Sequence, residues 1–362
     1  MKICIICPRA YPLFNKDCKE VFGGAEVQMY HLANQLSQNR LHKVTVLVAD
    51  YGQKKIETYN GIEVIKSYSF EQNIVVQIFR FISTLLSIQS DVFYQMTLNP
   101  LSGIIGWLTR FRNKKFVYLI ASDFELNKKG EIFKSKIQGY LAYKVFTKKN
   151  IIVSQNLFQY NYLRSMGIPS TIIRSFVVTT QTLPENKKGN YHLWVARSDK
   201  LKRAELFLAL AEKLPTENFV MICQKSTLVD QTYYQSIVVS ATEKKNLKFY
   251  KFVDDATLKK LYSEAKTFVN TSEYEGFPTT FIEAGMNSTP IISLKVNPDN
   301  FINEYNCGIA CNDNFDLMVE SFENLINAPS TYKNLSTNIY NYCKKIHNLE
   351  LNAEDLLSLT NK

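Results

Sequence analysis

Short apolar runs alternate with helical patterns along nearly the whole chain, and the alternation stops once and starts again. KICIIC (2–7), VTVLVA (44–49), DVFYQMT (91–97), FVYLIA (116–121), IIVS (151–154) and TIIR (171–174) read as strands. Between the first two, Met29, Leu32, Ala33 and Leu36 recur at helical spacing. Runs apolar from end to end, separated by helices, predict parallel sheets covered on both faces. TTQTLPENKKGN (179–190) then interrupts with a polar stretch that holds Pro184 and Gly189 and has no period. Beyond it come HLWVA (192–196), NFVMIC (218–223), LKFY (247–250), TFVN (267–270) and PIIS (290–293), again with helices between. The expected fold is α/β, with two doubly wound domains facing a central cleft, where such folds hold ligands. We place the domains at 1–180 and 191–345, with a linker over 181–190. A C-terminal helical segment, 346–362, is expected to pack back on the first domain.

A length of 362 residues suits two domains, each able to bury its own core. MKICIICPRAYP lacks the long apolar core and small-residue cleavage site of a signal peptide. IVVQIFRFISTLLSI (74–88) is broken by Arg80 and falls short of a membrane span. The expected location is therefore the cytoplasm. Seven cysteines at irregular spacing do not form a disulfide framework. Cys4 and Cys7 make a C-x-x-C inside a buried strand, with no second pair to complete a metal site, so buried thiols are expected.

The net charge of +10 is concentrated: residues 101–150 hold 11 Lys or Arg against 3 acidic residues. Apolar and aromatic residues intersperse these charges in TRFRNKK (109–115) and KSKIQGYLAYKVFTKK (134–149). Such a surface attracts anionic lipid or a phosphorylated acceptor, or it is a solvated basic face. No nucleic-acid motif accompanies it, and nucleic acid is not an expected partner.

The second domain carries EYEGFPTTFIEAG (273–285) just after the strand TFVN. A turn at the carboxyl end of a parallel strand lies where open α/β sheets bind ligands. The first amides of the helix that follows, at Thr279 and Thr280, suit a phosphate. Glu275 before that place and Glu283 one turn after it can each accept hydrogen bonds from hydroxyls. Hydroxyls on both sides of phosphates describe a nucleotide sugar. Thr280-x-x-Glu283 is equally a capping box, which needs no ligand. WVARSDKLKR (194–203) adds Arg197 and Lys202 at another strand end, two cations five apart that suit a diphosphate. Lys200, Lys202 and Arg203 as loop-solvating charges is the alternative.

Together these residues resemble a retaining GT-B glycosyltransferase of the family-four type (glycosyl transferases group 1). Val195-Ala196-Arg197 with Lys202 matches the Gly-Arg…Lys motif, with Ala for Gly, and Glu275-Gly276-Phe277 through Glu283 matches E-G-F-x5-E. The resemblance implies that Arg197 and Lys202 bind the donor diphosphate and stabilise the leaving group. It implies that Glu275 and the backbone of Gly276, Phe277 and Pro278 hold the donor sugar. The amides of Thr279 and Thr280 would cradle phosphate, and Glu283 would accept from the ribose. No metal or other cofactor is implied, since side-chain cations take the role a metal plays elsewhere.

In the first domain, Gly23 and Gly24 precede an amphipathic helix, and the resemblance places them by the acceptor and donor phosphates. Many members end the FVYLIA-type strand with a His, which is missing here; Asp123 stands in that region. It either orients an acceptor hydroxyl or caps the next segment. Base selection is expected near Gln224 and YKFVD (250–254). The leading expectation is a metal-independent hexosyltransferase. It moves a sugar from a nucleotide diphosphate to a saccharide or lipid-linked acceptor in surface polysaccharide biosynthesis, in the cytoplasm or peripherally on the inner face of the cell membrane. The alternative is a non-catalytic nucleotide-sugar-binding partner of an active enzyme; an epimerase would need more acid–base groups.

Overall fold

The computed structural model describes residues 1–127, 133, 135–176, 189–226, 231–326 and 328–361. The expected linker therefore lies almost wholly outside the described residues. Contacts divide the chain into two units, Met1–Val178 with Leu349–Lys362, and Thr179–Asn348.

The first unit opens with β1 (Lys2–Ile6), α1 (Tyr11–Phe14), α2 (Gly24–Ser37) and β2 (Lys43–Val48). A hairpin of β3 (Ile56–Tyr59) and β4 (Ile62–Lys66) follows, then α3 (Ile74–Ser87) and β5 (Val92–Met96). Next come α4 (Ser102–Phe111), β6 (Lys115–Leu119), α5 (Phe124–Asn127) and α6 (Lys136–Tyr143). β7 (Ile151–Ser154), α7 (Leu157–Ser165) and β8 (Thr171–Ile172) complete it. The sheet order is β3-β4-β2-β1-β5-β6-β7-β8, parallel except for β3 against β4. That hairpin was not expected; Asn60 and Gly61, both at positive φ, make its two-residue turn. Strand residues divide by alternation: Ile3, Ile5, Val46 and Tyr94 pack with α2, and Cys4, Leu47, Phe93 and Tyr118 pack with α3, α4, α6 and α7. Both faces are thus covered. Burial raises the thiol pKa values of Cys4 and Cys7 well above their ordinary value, as expected for core thiols.

The second unit runs β9 (His192–Arg197), α8 (Ala204–Lys213), β10 (Phe219–Gln224), α9 (Gln231–Thr242) and β11 (Leu247–Tyr250). It continues with α10 (Asp255–Glu264), β12 (Thr267–Asn270), α11 (Thr279–Met286), β13 (Ile291–Ser293) and α12 (Phe301–Glu304). β14 (Gly308–Ala310), α13 (Phe315–Ile326) and α14 (Pro329–Ile346) end it. All six strands are parallel, in the order β11-β10-β9-β12-β13-β14. Strand order reverses between β9 and β12, which makes the carboxyl ends of these two strands the switch point of the sheet, the place where open α/β sheets bind ligands.

The last helix, α15 (Leu349–Ser358), belongs to the first unit. Leu349, Ala353 and Leu356 enter the same core as Met29 and Leu32 of α2, and Asn352 donates to the carbonyl of Arg174 (3.1 Å). No helix among the described residues is long and apolar enough to cross a membrane.

Candidate functional site

The switch point of the second sheet brings two distant pieces of sequence together. After β9 the chain makes a 3-10 turn, Lys200–Lys202, and then Arg203 adopts a left-handed conformation at φ 48°. That costs a non-glycine residue about 1 kcal/mol. The strain is offset by what the guanidinium reaches. Its Nε donates to the carbonyl of Thr271 (2.7 Å), Nη2 to that of Ser272 (3.3 Å) and Nη1 to Asp313 (2.8 Å). In return Thr271 Oγ1 donates to the carbonyl of Lys202 (2.7 Å), and the amide of Glu273 to that of Leu201 (2.8 Å). The loops after β9 and β12 are therefore laced into one body. Sequence reasoning offered Arg203 only as a solvating charge; it holds the site's frame instead.

Within that frame Lys202 Nζ lies 2.8 Å from Glu275 Oε2, and neither side chain is more than a quarter exposed. Glu275 Oε1 accepts from Ser272 Oγ (2.7 Å) and Asn270 Nδ2 (3.2 Å). Burial pushes the Glu275 carboxyl up, but Lys202, Ser272 and Asn270 together overcome it and hold the group below its ordinary range. Ionised, it is an acceptor-only group with fixed direction. Arg197 ends β9 beside Asp199 (Nη2 to Oδ2 3.1 Å), and Asp199 also accepts from the hydroxyl of Ser226. Asn270, Ser272 and Asp199 escaped the sequence reading, because hydroxyl and amide partners carry no spacing signal of their own.

The turn Gly276-Phe277-Pro278 leads directly into α11. Phe277 is buried, its ring 4.3 Å from His347 and 5.1 Å from Phe301. Its side chain anchors the turn and leaves the backbone as the part available to a ligand. Pro278 is the N-cap of α11 and supplies no capping side chain. The amides of Thr279 and Thr280 thus begin the helix without an intrahelical acceptor, an arrangement suited to an anion. The alternative capping box at Thr280 and Glu283 is not formed, since the N-cap is Pro278 and Thr280 already lies inside the helix. Glu283 stands close to the buried Tyr262 hydroxyl, whose pKa burial raises first and Glu283 further.

In the first unit, Gly23 is the N-cap of α2 and its amide donates to Glu26 Oε2 (2.8 Å). The start of α2 is thus served by its own carboxylate, and a Cβ on Gly23 would come within 2.9 Å of it. Gly24 is the first helical residue. Asp123 follows β6, and its Oδ1 accepts from Asn156 Nδ2 and Gln159 Nε2, both at 2.8 Å. Two residues on, Glu125 is buried and accepts from Tyr118 Oη (2.6 Å) and from the amides of Leu98 and Ala121 (both 3.3 Å). Burial raises its pKa to about 7, against those three donors. Gln224 and Tyr250 close β10 and β11, and Asp254 caps α10 by accepting from the Thr257 amide (2.7 Å). Among the described residues, no group of three or more His, Cys, Asp or Glu side chains is arranged to hold a metal.

Two Rossmann-like units, each built on a mainly or wholly parallel sheet, have the GT-B fold, as the likeness to solved structures shows. Residues 179–342 match the family glycosyl transferases group 1. Among solved structures, sucrose-phosphate synthase from Thermosynechococcus elongatus superposes with a TM-score of 0.80 at 16% identity, over 100% of this chain and 98% of that one. HepE from Anabaena, in complex with UDP-glucose, gives 0.73 at 13% identity, over 99% of each chain. A trehalose-6-phosphate structure from E. coli, bound with UDP-2-fluoro glucose, gives 0.70 at 12% identity over 100% and 99%. At these identities the likeness is one of fold. No curated protein matches the chain by sequence.

Proposed function

We propose that the protein transfers a hexose from a nucleotide diphosphate to a saccharide or lipid-linked acceptor, with the anomeric configuration retained and without a metal. The Lys202–Glu275 contact carries this reading: one 2.8 Å pair places a cation and a carboxylate side by side at the switch point. Arg197 and Lys202 face the diphosphate, while the amides of Thr279 and Thr280 cradle its phosphate at the start of α11. Glu275, with the backbone of Gly276 to Pro278, accepts from the sugar hydroxyls, and Glu283 from the ribose. In the reaction the bond from C1 to phosphate oxygen breaks as the acceptor oxygen bonds C1 on the same face. The acceptor proton passes to the departing phosphate, and the two cations stabilise the charge that develops there. Gly23 and Gly24 are assigned to the acceptor and the donor phosphates by resemblance alone, and Asp123, standing where the family's His is missing, is assigned to orienting an acceptor hydroxyl. The mixed basic and aromatic surface of the first unit supports work at the cytoplasmic face of a membrane, in surface polysaccharide assembly.

A panel of nucleoside diphosphates is screened for thermal stabilisation, UDP first because HepE is seen in complex with it, and the matching sugar donors are then assayed with and without chelator. Transfer with retained configuration, seen by NMR and unaffected by chelator, is expected. Nucleotide binding with neither hydrolysis nor transfer of any donor would favour the non-catalytic partner instead.

A further inference from the structure

The first unit bears an apolar helix that water does not suit. α3 has one charged residue, Arg80, in its 14 positions, and Val75 and Phe79 are 68% and 73% exposed. The first turn is not frayed: the Asn73 side chain accepts from the amides of Val75 (2.8 Å) and Val76 (3.4 Å). Its opposite face, Phe81 and Leu85, is buried in the core. A contiguous apolar face held rigidly in solvent marks an interaction surface.

Beside it lies a cavity of about 250 Å³ lined by Lys55, Lys66, Arg80 and Ser83, with Asp50 the one carboxylate. Lys66 is paired with Asp50 (3.2 Å), whereas Lys55 and Arg80 have no acidic partner among the described residues. Phe79 lines the same cavity, so exposed ring and cationic pocket adjoin on one helix. The next helix continues the theme. Arg112, after α4, donates to the carbonyls of Leu85 and Ile88 (both 3.3 Å), and α4 exposes the stacked pair Trp107 and Phe111. By contrast, the lysines of the 109–115 stretch are engaged: Lys114 with Asp91 (3.2 Å) and Lys115 with the carbonyl of Thr360 (2.6 Å).

We propose that α3 and the adjoining pocket dock the protein on an anionic phospholipid surface. Val75, Val76 and Phe79 enter the boundary of the acyl chains while a lipid phosphate sits among Lys55, Lys66 and Arg80. Charge complementarity selects this occupant: the pocket offers three cations against one carboxylate, and the apolar side chains stand next to it. The inference rests on the membrane part of the proposed function and is independent of its chemistry.

The test is flotation of the full chain with phosphatidylcholine vesicles, alone and mixed with phosphatidylglycerol. Binding to the mixed vesicles only is expected. Lys55→Ala with Arg80→Ala should lower the partition by about fivefold per cation removed, and Val75→Ser with Phe79→Ser by a similar factor or more. Nucleotide stabilisation and circular dichroism should stay unchanged in both variants, since every altered side chain is exposed. Undiminished vesicle binding by both variants overturns this face but leaves membrane association elsewhere intact. Absence of binding to mixed vesicles overturns both. Stabilisation by glycerol phosphate without vesicle binding would make the pocket a soluble-phosphate site and overturn the proposal. So would self-association in sedimentation that Val75→Ser with Phe79→Ser abolishes.

Discussion

Lys202 Nζ and Glu275 Oε2, 73 positions apart in sequence, meet at 2.8 Å where the loops after β9 and β12 are laced together. Each neutralises the other, and under the proposed function a donor exchanges this contact for phosphate on one side and sugar hydroxyls on the other. Lys202→Ala is expected to lower kcat by about 100-fold to 1,000-fold and to destabilise the second unit by about 2 kcal/mol. Glu275→Gln should spare stability more, since Asn270 and Ser272 still have an oxygen to donate to. A double-mutant cycle on Tm and kcat separates the two effects; additive losses in both would deny that the residues act as a pair.

A second prediction concerns acid. His192 is buried between Thr267 Oγ1 (2.7 Å) and Glu217 Oε2 (3.0 Å), and burial lowers its pKa below the usual 6.5 despite Glu217. The unfolded chain therefore takes up a proton that the folded one refuses, and stability falls as pH drops below about 6.5. Glu217 is lowered to about 2, first by the His192 hydrogen bond and also by Lys266. Its contribution is present above its unfolded value and is lost as pH falls towards 2. Denaturant midpoints of the second unit should decline in two stages, and His192→Gln should remove the upper one.

The first unit should behave in the opposite sense. Glu125, raised to about 7 by burial, favours the fold when protonated. That contribution is complete below its unfolded value near 4.5 and is lost as pH rises through 7. Glu125→Gln mimics the protonated form and should stabilise the unit by about 1–3 kcal/mol at pH 8, with no gain at pH 4. Hydrogen exchange at β5 and β6 reads this unit without interference from the other; equal protection at pH 8 in the two proteins would count against the buried-acid assignment.

Close packing gives a fourth prediction. A Cβ on Gly285 would lie 2.3 Å from Cys343 Sγ and 2.9 Å from Ile339 Cγ1, so α11 and α14 touch where only glycine fits. Gly285→Ala should cost about 1–3 kcal/mol by urea denaturation. Adding Cys343→Ala should recover part of that loss, because the sulfur is the nearest obstacle.

Much of this arrangement was legible beforehand, for identifiable reasons. End-to-end apolar runs announce parallel strands, and all the strands read that way are present, trimmed by a residue or two where the sheet ladder ends. The β3–β4 hairpin has its signal in Asn60-Gly61, but its strands are short and half-exposed and carry little apolar pattern. β14 is three residues long and its apolar signal is too brief to read. At the site, Arg197, Lys202 and Glu275 stand out because charges at strand ends are conspicuous. Arg203, Asp199 and Ser272 do not, because their part is set by partners far away in sequence. Glu125 was hidden by a different effect: only three-dimensional burial distinguishes it from any loop carboxylate.

The final helix has a consequence for how the protein is made. α15 follows the whole of the second unit in the chain yet fills the core begun by α2, so a nascent chain carries an unfinished first unit until the second has been made. The apolar groove over Met29 and Leu32 stays uncovered until α15 emerges, and the docking of that helix is the step that seals it.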